Sequence, residues 1–261
     1  MIHQLSQGHL QTLNGCPRKF QYLYLDHYTL PSLPQQLNRQ RLGTDFHRLM
    51  HQESLGLDIA PLIAADGDME RWYQTFQTSP PPMISGRAES EHCRSVALGA
   101  FTLVGIYDRV IFGPTQAQII DWKTYARPPE KKHLSQHWQT RLYPFLLAAT
   151  SDYTPENICM TYWFAEGSEP PQYFSFAYGV EIHRQICDRL EAQLSRLQTW
   201  LDRYEQNPGD HPLPQIPQEM GRCSYCPFVH RCERFNPEAE SQKLDVAGLL
   251  GAIASIPELP I

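Results

Sequence analysis

Two aspartates and a lysine lie close together near the middle of the chain: Asp108, and then Asp121 and Lys123 within Asp121-Trp122-Lys123. The runs that carry them, VALGAFTLVGIYDRVIF and AQIIDWKTY, read as strands on either side of Gly113-Pro114. A turn centred on Pro114-Thr115 sets Asp108 directly across from Asp121 in an antiparallel hairpin. Facing residues there have Cβ atoms about 4.5–5.5 Å apart, and like charges at that separation destabilise a sheet. A divalent cation that prefers oxygen compensates, because two such carboxylates make half of a Mg2+ or Mn2+ site. Strand alternation sends Lys123 to the same face as Asp121 and Trp122 to the other. An ammonium group beside a cation and a phosphate can hold a water for attack or stabilise the charge that develops. His47 can add an imidazole ligand. His51, one helical turn later, raises the alternative of a zinc-binding pair, but the HExxH pattern that would make such a pair catalytic is absent. Gln139 and Tyr143 are one turn apart on the helix after the D-x-K strand, so both can project towards the same groove.

Cysteine supplies a second chemistry. Cys16 stands alone near the start, and Cys223, Cys226 and Cys232 form C-x2-C-x5-C near the end. Four thiolates hold either one tetrahedral Zn2+ or a [4Fe-4S] cluster, and spacing alone does not separate the two. Either would staple the two ends of the chain. The total of seven cysteines is odd. A complete disulfide framework is therefore impossible, and clustered thiols in a reducing compartment point to metal. Cys93, Cys159 and Cys187 are scattered and read as small buried hydrophobes.

These residues need elements to position them. Residues 7–28 read as a helix interrupted at Cys16-Pro17, with Leu10, Leu13, Phe20, Leu23 and Tyr24 at helical spacing. Thr44 can cap a second helix that carries Phe46, His47, Leu49 and Met50. Residues 68–77 read as a short helix that ends before Pro80-Pro81-Pro82. Residues 84–124 form a meander of three antiparallel strands, and 134–149 return to helix, with Pro144 predicting a kink or early break. NICMTYWFA and QYFSFAY read as strands. A long helix over about 180–205 follows, with Ile182, Ile186, Leu190, Leu194, Leu197 and Leu201 on one stripe. The whole reads as one domain over 1–236 and a tail over 237–261, whose LDVAGLLGAIASI is a short apolar helix.

Composition narrows the function classes. At 261 residues, with 41% hydrophobic and 19% charged residues, the chain is globular in character. No stretch approaches the roughly 20 apolar residues of a membrane span, and the N-terminus lacks the pattern of a signal peptide, so a cytoplasmic protein without membrane contact is expected. A formal charge of −6 argues against a protein that coats nucleic acid by bulk electrostatics. Local clusters at Arg18-Lys19, Arg39–Arg48 and Lys131-Lys132-His133 leave room for a basic groove. Tyr22, Tyr24 and Trp138 read as core residues ahead of any base-stacking role.

Taken in order, G-T-D-F-H-R at 43–48, G-I-Y-D-R-V at 105–110, I-I-D-W-K-T at 119–124 and Q-T-R-L-Y at 139–143 resemble the successive motifs of RecB-like nucleases in the PD-(D/E)XK superfamily. L-x2-C-P-R-K-F-Q-Y at 13–22 and C-S-Y-C-P-F-V-H-R-C at 223–232 resemble its iron-sulfur branch. That branch includes CRISPR-associated RecB-like exonucleases and the nuclease domain of AddB-type helicase-nucleases. The likeness covers about 10–235. It implies an α/β restriction-endonuclease-like core, a mixed central sheet flanked by helices, with the terminal segments joined at a metal cluster. It implies Mg2+- or Mn2+-dependent hydrolysis of DNA phosphodiesters, with His47, Asp108, Asp121 and the Trp122 carbonyl binding metal. Lys123 would be the catalytic lysine, and Gln139 and Tyr143 would position the strand. Thr124 and the aromatic Tyr125 after Lys123 are as that family has them. Cys16, Cys223, Cys226 and Cys232 would hold [4Fe-4S] in preference to Zn2+. A single-stranded substrate or free DNA end, a role in CRISPR adaptation or DNA repair, and a CRISPR integrase or a helicase as partner also come from the resemblance. The competing reading is a non-catalytic iron-sulfur DNA-binding or adaptation subunit.

Overall fold

A break at Cys16-Pro17 and a switch from helical to strand periodicity near residue 84 are the strongest local signals in the sequence, and both are realised in the computed structural model. The structure describes residues 2–31, 33–124, 128–166, 172–207, 209 and 211–234. Tyr125 and the expected C-terminal helix lie outside these residues.

Contacts gather into two units. The first comprises the described residues of 1–31 and 194–261, and the second those of 32–193. In the first unit, a short strand β1 (Gln4–Leu5) precedes α1 (Gln7–Gly15) and α2 (Pro17–Phe20). Cys16 between the two helices is extended, with φ −166° and ψ 116°. Pro17 has no N–H and its ring would collide with the preceding turn, so α1 stops and α2 restarts with proline in its first turn. Gln21–Leu25 then closes as a π-helical turn, which apolar spacing does not announce. The segment near 213 docks here through backbone groups. Arg18 donates from Nε to the Leu213 carbonyl at 2.6 Å, and the Leu213 N–H donates to the Gln21 Oε1 at 2.8 Å.

The second unit is built on a sheet. Its helices α3 (Pro34–Ser54), α4 (Ala60–Ala64) and α5 (Gly67–Thr78) precede strands β2 (Arg87–Leu98), β3 (Phe101–Phe112) and β4 (Ala117–Lys123). Then come α6 (Lys131–Leu134), α7 (Trp138–Ala149), β5 (Ile158–Phe164), β6 (Tyr173–Ala177) and α8 (Val180–Gln206), whose last residues belong to the first unit. These five strands lie in the order β2-β3-β4-β5-β6, with β4 and β5 parallel and the other neighbours antiparallel. The expected three-stranded meander is β2-β3-β4. All seven residues of β4 are buried, as a central strand covered on both faces requires.

Helices cover the two faces. Phe46, Leu49 and Met50 of α3 and Trp72 and Phe76 of α5 pack with Ile111, Ile120, Trp122 and Trp163 in one core cluster. On the opposite face, Tyr107 of β3 meets Tyr143 of α7 with ring centroids 5.1 Å apart, and its hydroxyl donates to the Tyr143 carbonyl at 2.9 Å. Among the described residues, no helix is long and apolar enough to cross a membrane.

Three sequence expectations change. The helix bearing His47 begins at Pro34, ten residues before Thr44, because a proline at the first helical position is already set to helical φ. Pro144 neither ends nor splits α7, which runs on to Ala149. Cys93 is exposed on β2, and Cys159 and Cys187 are only half-buried, so none of the three is a core residue.

Candidate active site

The β3–β4 register is the one that the Gly113-Pro114 turn predicts: Phe112 pairs with Ala117, and the ladder runs to Arg109 with Ile120. Asp108 and Asp121 fall at the next step, where the ladder stops. The Asp108 carboxylate takes over there, its Oδ2 accepting the Trp122 N–H at 2.7 Å. The facing carboxylates expected from strict pairing therefore do not form a paired rung. A phase shift in β3 is the cause. Tyr107 packs on α7, yet Ile111, which simple alternation would put on the same face, packs on the α3 side.

The neighbouring strand shifts at the same level. Ser90 pairs with Arg109 and His92 with Tyr107, so Glu91 lies opposite Asp108 and, like it, leaves the ladder. Glu91 has φ 51°, in the left-handed region that a residue with a Cβ rarely occupies. The distortion turns the Glu91 and Asp108 carboxylates towards His47. Ligand atoms of His47, Glu91 and Asp108 all lie within 4.8 Å of one another. His47 Nδ1 is 3.2 Å from Asp108 Oδ1. Glu91 is the site residue that motif reading missed. A signal for it existed in the register of the first hairpin, where the turn at Gly99 sets position 91 across from 108.

Asp121 and Lys123 are on the α7 face of β4, and Trp122 is on the other, as alternation predicts. Lys123 Nζ is 2.7 Å from Asp121 Oδ1, and both side chains are almost fully buried. Gln139 Nε2 donates to Asp121 Oδ2 at 2.5 Å. Tyr143, one turn further along α7, is also buried. The structure thus brings both residues to the Asp121 side of the site. Tyr143 is buried in the unit, while Gln139, hydrogen-bonded to Asp121, is only partly buried.

Electrostatics follow from this packing. Burial alone would raise the Asp108 carboxyl, but the adjacent His47, through its charge and hydrogen bond, together with Lys123 and the Trp122 N–H, holds it below the ordinary range. Glu91 is exposed, yet the protein packed around its carboxyl partly desolvates it and so raises it, and the Asp108 charge adds to the rise against opposition from His47 and His51. Burial also drives the Tyr143 phenol well up, reinforced by Asp121 and Asp108, so this tyrosine is a neutral donor at ordinary pH. One imidazole and hard carboxylate oxygens, gathered against a lysine, form a donor set that suits a divalent cation.

The elements that hold the site are closely fitted. A Cβ on Gly43 of α3 would stand 3.2 Å from Thr124 Oγ1, so α3 passes close to the end of β4 one turn before His47. Thr140 of α7 bonds the Tyr162 hydroxyl of β5 at 2.8 Å, which seats the helix carrying Gln139.

Cys16, Cys223, Cys226 and Cys232 all lie in the first unit. Cys16 and Cys232 are close enough to raise the Cys226 thiol, although burial is the larger cause. Arg234 Nη1 donates to Cys223 Sγ at 3.5 Å, and the Cys232 Sγ is 4.0 Å from the Tyr22 hydroxyl.

Comparison with known proteins bears on the family and the fold. The family model described as "PD-(D/E)XK nuclease superfamily" matches residues 4–233. The chain belongs to that superfamily. A crystal structure of a "Putative exonuclease" from Eubacterium rectale is similar over 94% of this chain and 94% of that one, with 11% sequence identity and a TM-score of 0.55. At that identity the likeness shows a common fold, the PD-(D/E)XK core of a mixed sheet flanked by helices. The crystal structure of SSO0001 is similar over 75% of this chain and 77% of that one, at 11% identity and a TM-score of 0.34. No curated protein matches the sequence.

Proposed function

We propose that this PD-(D/E)XK protein is a metal-dependent deoxyribonuclease, an exonuclease that hydrolyses phosphodiesters of single-stranded DNA from an end. The observation that carries the reading is the convergence of His47, Glu91 and Asp108 within 4.8 Å, in a chain whose buried Asp121–Lys123 pair follows Asp108 on the next strand. A pure DNA-binding module gains nothing from carboxylates collected beside an anionic ligand.

His47, Glu91 and Asp108, with Asp121 and the Trp122 carbonyl, would hold Mg2+ or Mn2+. Bound there, the ion supplies Lewis-acid charge beside a phosphate oxygen and lowers the pKa of a bound water. Lys123 holds the attacking water and offsets the charge that develops on the phosphate. Gln139 fixes the Asp121 carboxylate through its 2.5 Å hydrogen bond, and Tyr143 supports Gln139 from the core. Both act as positioning residues.

The rest of the proposal concerns the ends of the chain. Cys16, Cys223, Cys226 and Cys232 hold a [4Fe-4S] cluster in a RecB-like nuclease domain over 1–236, with 237–261 as a tail. The protein is cytoplasmic, serves CRISPR adaptation or DNA repair, and works beside a helicase or a CRISPR integrase.

The experiment compares degradation of an end-labelled single-stranded oligonucleotide in Mg2+ or Mn2+ by the wild type and by Asp121→Ala, with Mn2+ affinity measured for the wild type and Glu91→Gln. Asp121→Ala is expected to lose about 10³-fold in rate. Glu91→Gln is expected to bind Mn2+ at least about tenfold more weakly. Equal rates for wild type and Asp121→Ala would end the catalytic assignment.

A further inference from the structure

Four of the five tryptophans, Trp72, Trp122, Trp138 and Trp163, are buried in the second unit. Trp200 is placed differently. It stands half-buried near the end of α8, in the first unit, beside a cavity of about 250 Å3. Trp200, Arg203, His211, Pro212, Leu213 and Pro214 line that cavity. The helix does not need this indole for its core, because Leu194, Leu197 and Leu201 already supply the buried stripe.

Both walls are fixed. Trp200 and Arg203 are three residues apart on one helix and so share a face, whereas Asp202 and Glu205 lie on other sides of it. Asp202 accepts from Gln198 Nε2 at 2.6 Å. The Tyr204 hydroxyl donates to Asp26 Oδ1 at 2.5 Å, which ties this end of α8 to the N-terminal segment. The other wall is Pro212-Leu213-Pro214, whose two prolines have φ set by their rings. Leu213 is buried, its N–H and carbonyl taken by Gln21 and Arg18, and the Arg18 N–H donates to the Pro214 carbonyl at 3.1 Å. A cavity held in this way needs little ordering when a ligand enters.

The lining groups define what fits. An indole offers a flat apolar face to a planar ring, and a guanidinium and an imidazole beside it bind negative charge. A nucleobase with its phosphate carries both. An acidic side chain would leave the indole unused, and an apolar one would leave Arg203 unused. At about 250 Å3 the cavity falls below the roughly 300–1,000 Å3 of a drug-sized site, so it suits one nucleotide and not a longer segment.

We propose that this cavity is a nucleotide-binding site, in which one base stacks on Trp200 while Arg203, with support from His211, holds its phosphate. The choice of a nucleotide among aromatic anions rests on the nuclease reading. The nucleotide comes either from a single DNA strand or from the free monophosphate that an exonuclease releases, and the recognition chemistry is the same for both. Stacking tolerates every base, and phosphate contacts do not read sequence, so the site takes any nucleotide.

The test is fluorine NMR of the full-length protein labelled with fluorotryptophan, in buffer without divalent metal. The resonance lost in Trp200→Phe marks that residue. Titration with dAMP should move this resonance saturably and leave the other four in place. Arg203→Gln should weaken the response about tenfold, and Arg203→Lys should restore part of it. Adenosine, which lacks the phosphate, and inorganic phosphate, which lacks the base, should each bind at least about tenfold more weakly than dAMP. An oligothymidylate that acts at lower concentration than dTMP would assign the site to a strand, and the reverse order would assign it to the free nucleotide. A Trp200 resonance unmoved by both dAMP and the oligonucleotide would overturn the site. Equal responses to dAMP and inorganic phosphate would also overturn it, since the contact would then be with an anion alone. Cleavage in Mn2+ is followed separately: cleavage with a silent Trp200 leaves the nuclease reading intact, and a responsive Trp200 without cleavage keeps the site and removes that reading.

Discussion

At the scale of single residues, Asp121 and Lys123 carry the sharpest claim. Their 2.7 Å ion pair is almost wholly shielded from water, so each charge depends on the other far more than a surface pair would. Replacing Lys123 by methionine keeps most of the side chain's length and removes the countercharge. The Asp121 carboxylate stays buried, and the expected loss is about 3 kcal/mol of stability. Adding Asp121→Asn to Lys123→Met removes the buried charge and should restore at least half of that. Urea unfolding of the wild type, the two single variants and the double variant measures the coupling, and simple additivity would show that the pair does not hold this corner of the sheet together. The two residues were legible because strand geometry has a period of two, and D-x-K needs nothing else to share a face. Glu91 was not legible by motif. Its carboxylate reaches His47 only through a backbone distortion that two neighbouring strands share, and a side chain in a plain strand gives no hint of that.

At the scale of elements, α7 is the part that sets Gln139 on Asp121, and its seat is Gly105 of β3. A Cβ there would lie 2.9 Å from Leu146 Cδ1 and 3.0 Å from the Tyr143 ring, both on the face that α7 presents to the sheet. Gly105→Val should push the helix outward, at a cost of about 1–3 kcal/mol. It should also lower kcat more than it raises KM, because the displacement acts on the Gln139–Asp121 hydrogen bond and not on strand binding. Combining it with Leu146→Ala, which opens space beside the new side chain, should return part of both losses. A Gly105→Val protein that was destabilised but kept full kcat would mean that α7 is scaffolding without a positioning role. The existence of α7 was legible, but not its continuity through Pro144. Pro144 removes one intrahelical donor and predicts a break, yet the Tyr107 hydroxyl donates to the Tyr143 carbonyl and pins the helix to the sheet beside the proline. That rescue comes from a residue on another element, so no local pattern could reveal it. The extra turns of α3 ahead of Thr44 are the opposite case, since Pro34 marked them and the capping threonine distracted from it.

At the scale of the whole molecule, the sequence gives up its sheet order only in part and its division into two units hardly at all. The β2-β3-β4 meander follows from consecutive strands and short turns, whereas the parallel pairing of β5 with β4 and the assembly of residues near 16 with those near 223 rest on distant contacts. The four cysteines were the long-range clue. If they bind a cluster as proposed, closing the chain between Cys16 and Cys223 restricts the unfolded state by on the order of 5 kcal/mol in the chain-entropy picture. The benefit should fall first on the unit that contains them. Removing one ligand by Cys226→Ala should abolish bound iron and bring faster hydrogen exchange in α1, α2 and the segment that docks through Leu213. The amides of β4, buried in the other unit, report whether the protein has unfolded globally and should keep most of their protection. Anaerobic wild-type protein should contain about four iron atoms per chain. Zinc in place of iron would discard the iron-sulfur assignment while keeping the staple. Unchanged exchange near Cys16 after Cys226→Ala would discard the staple itself, because a cross-link that constrains nothing in the folded unit has no means of holding its two distant segments together.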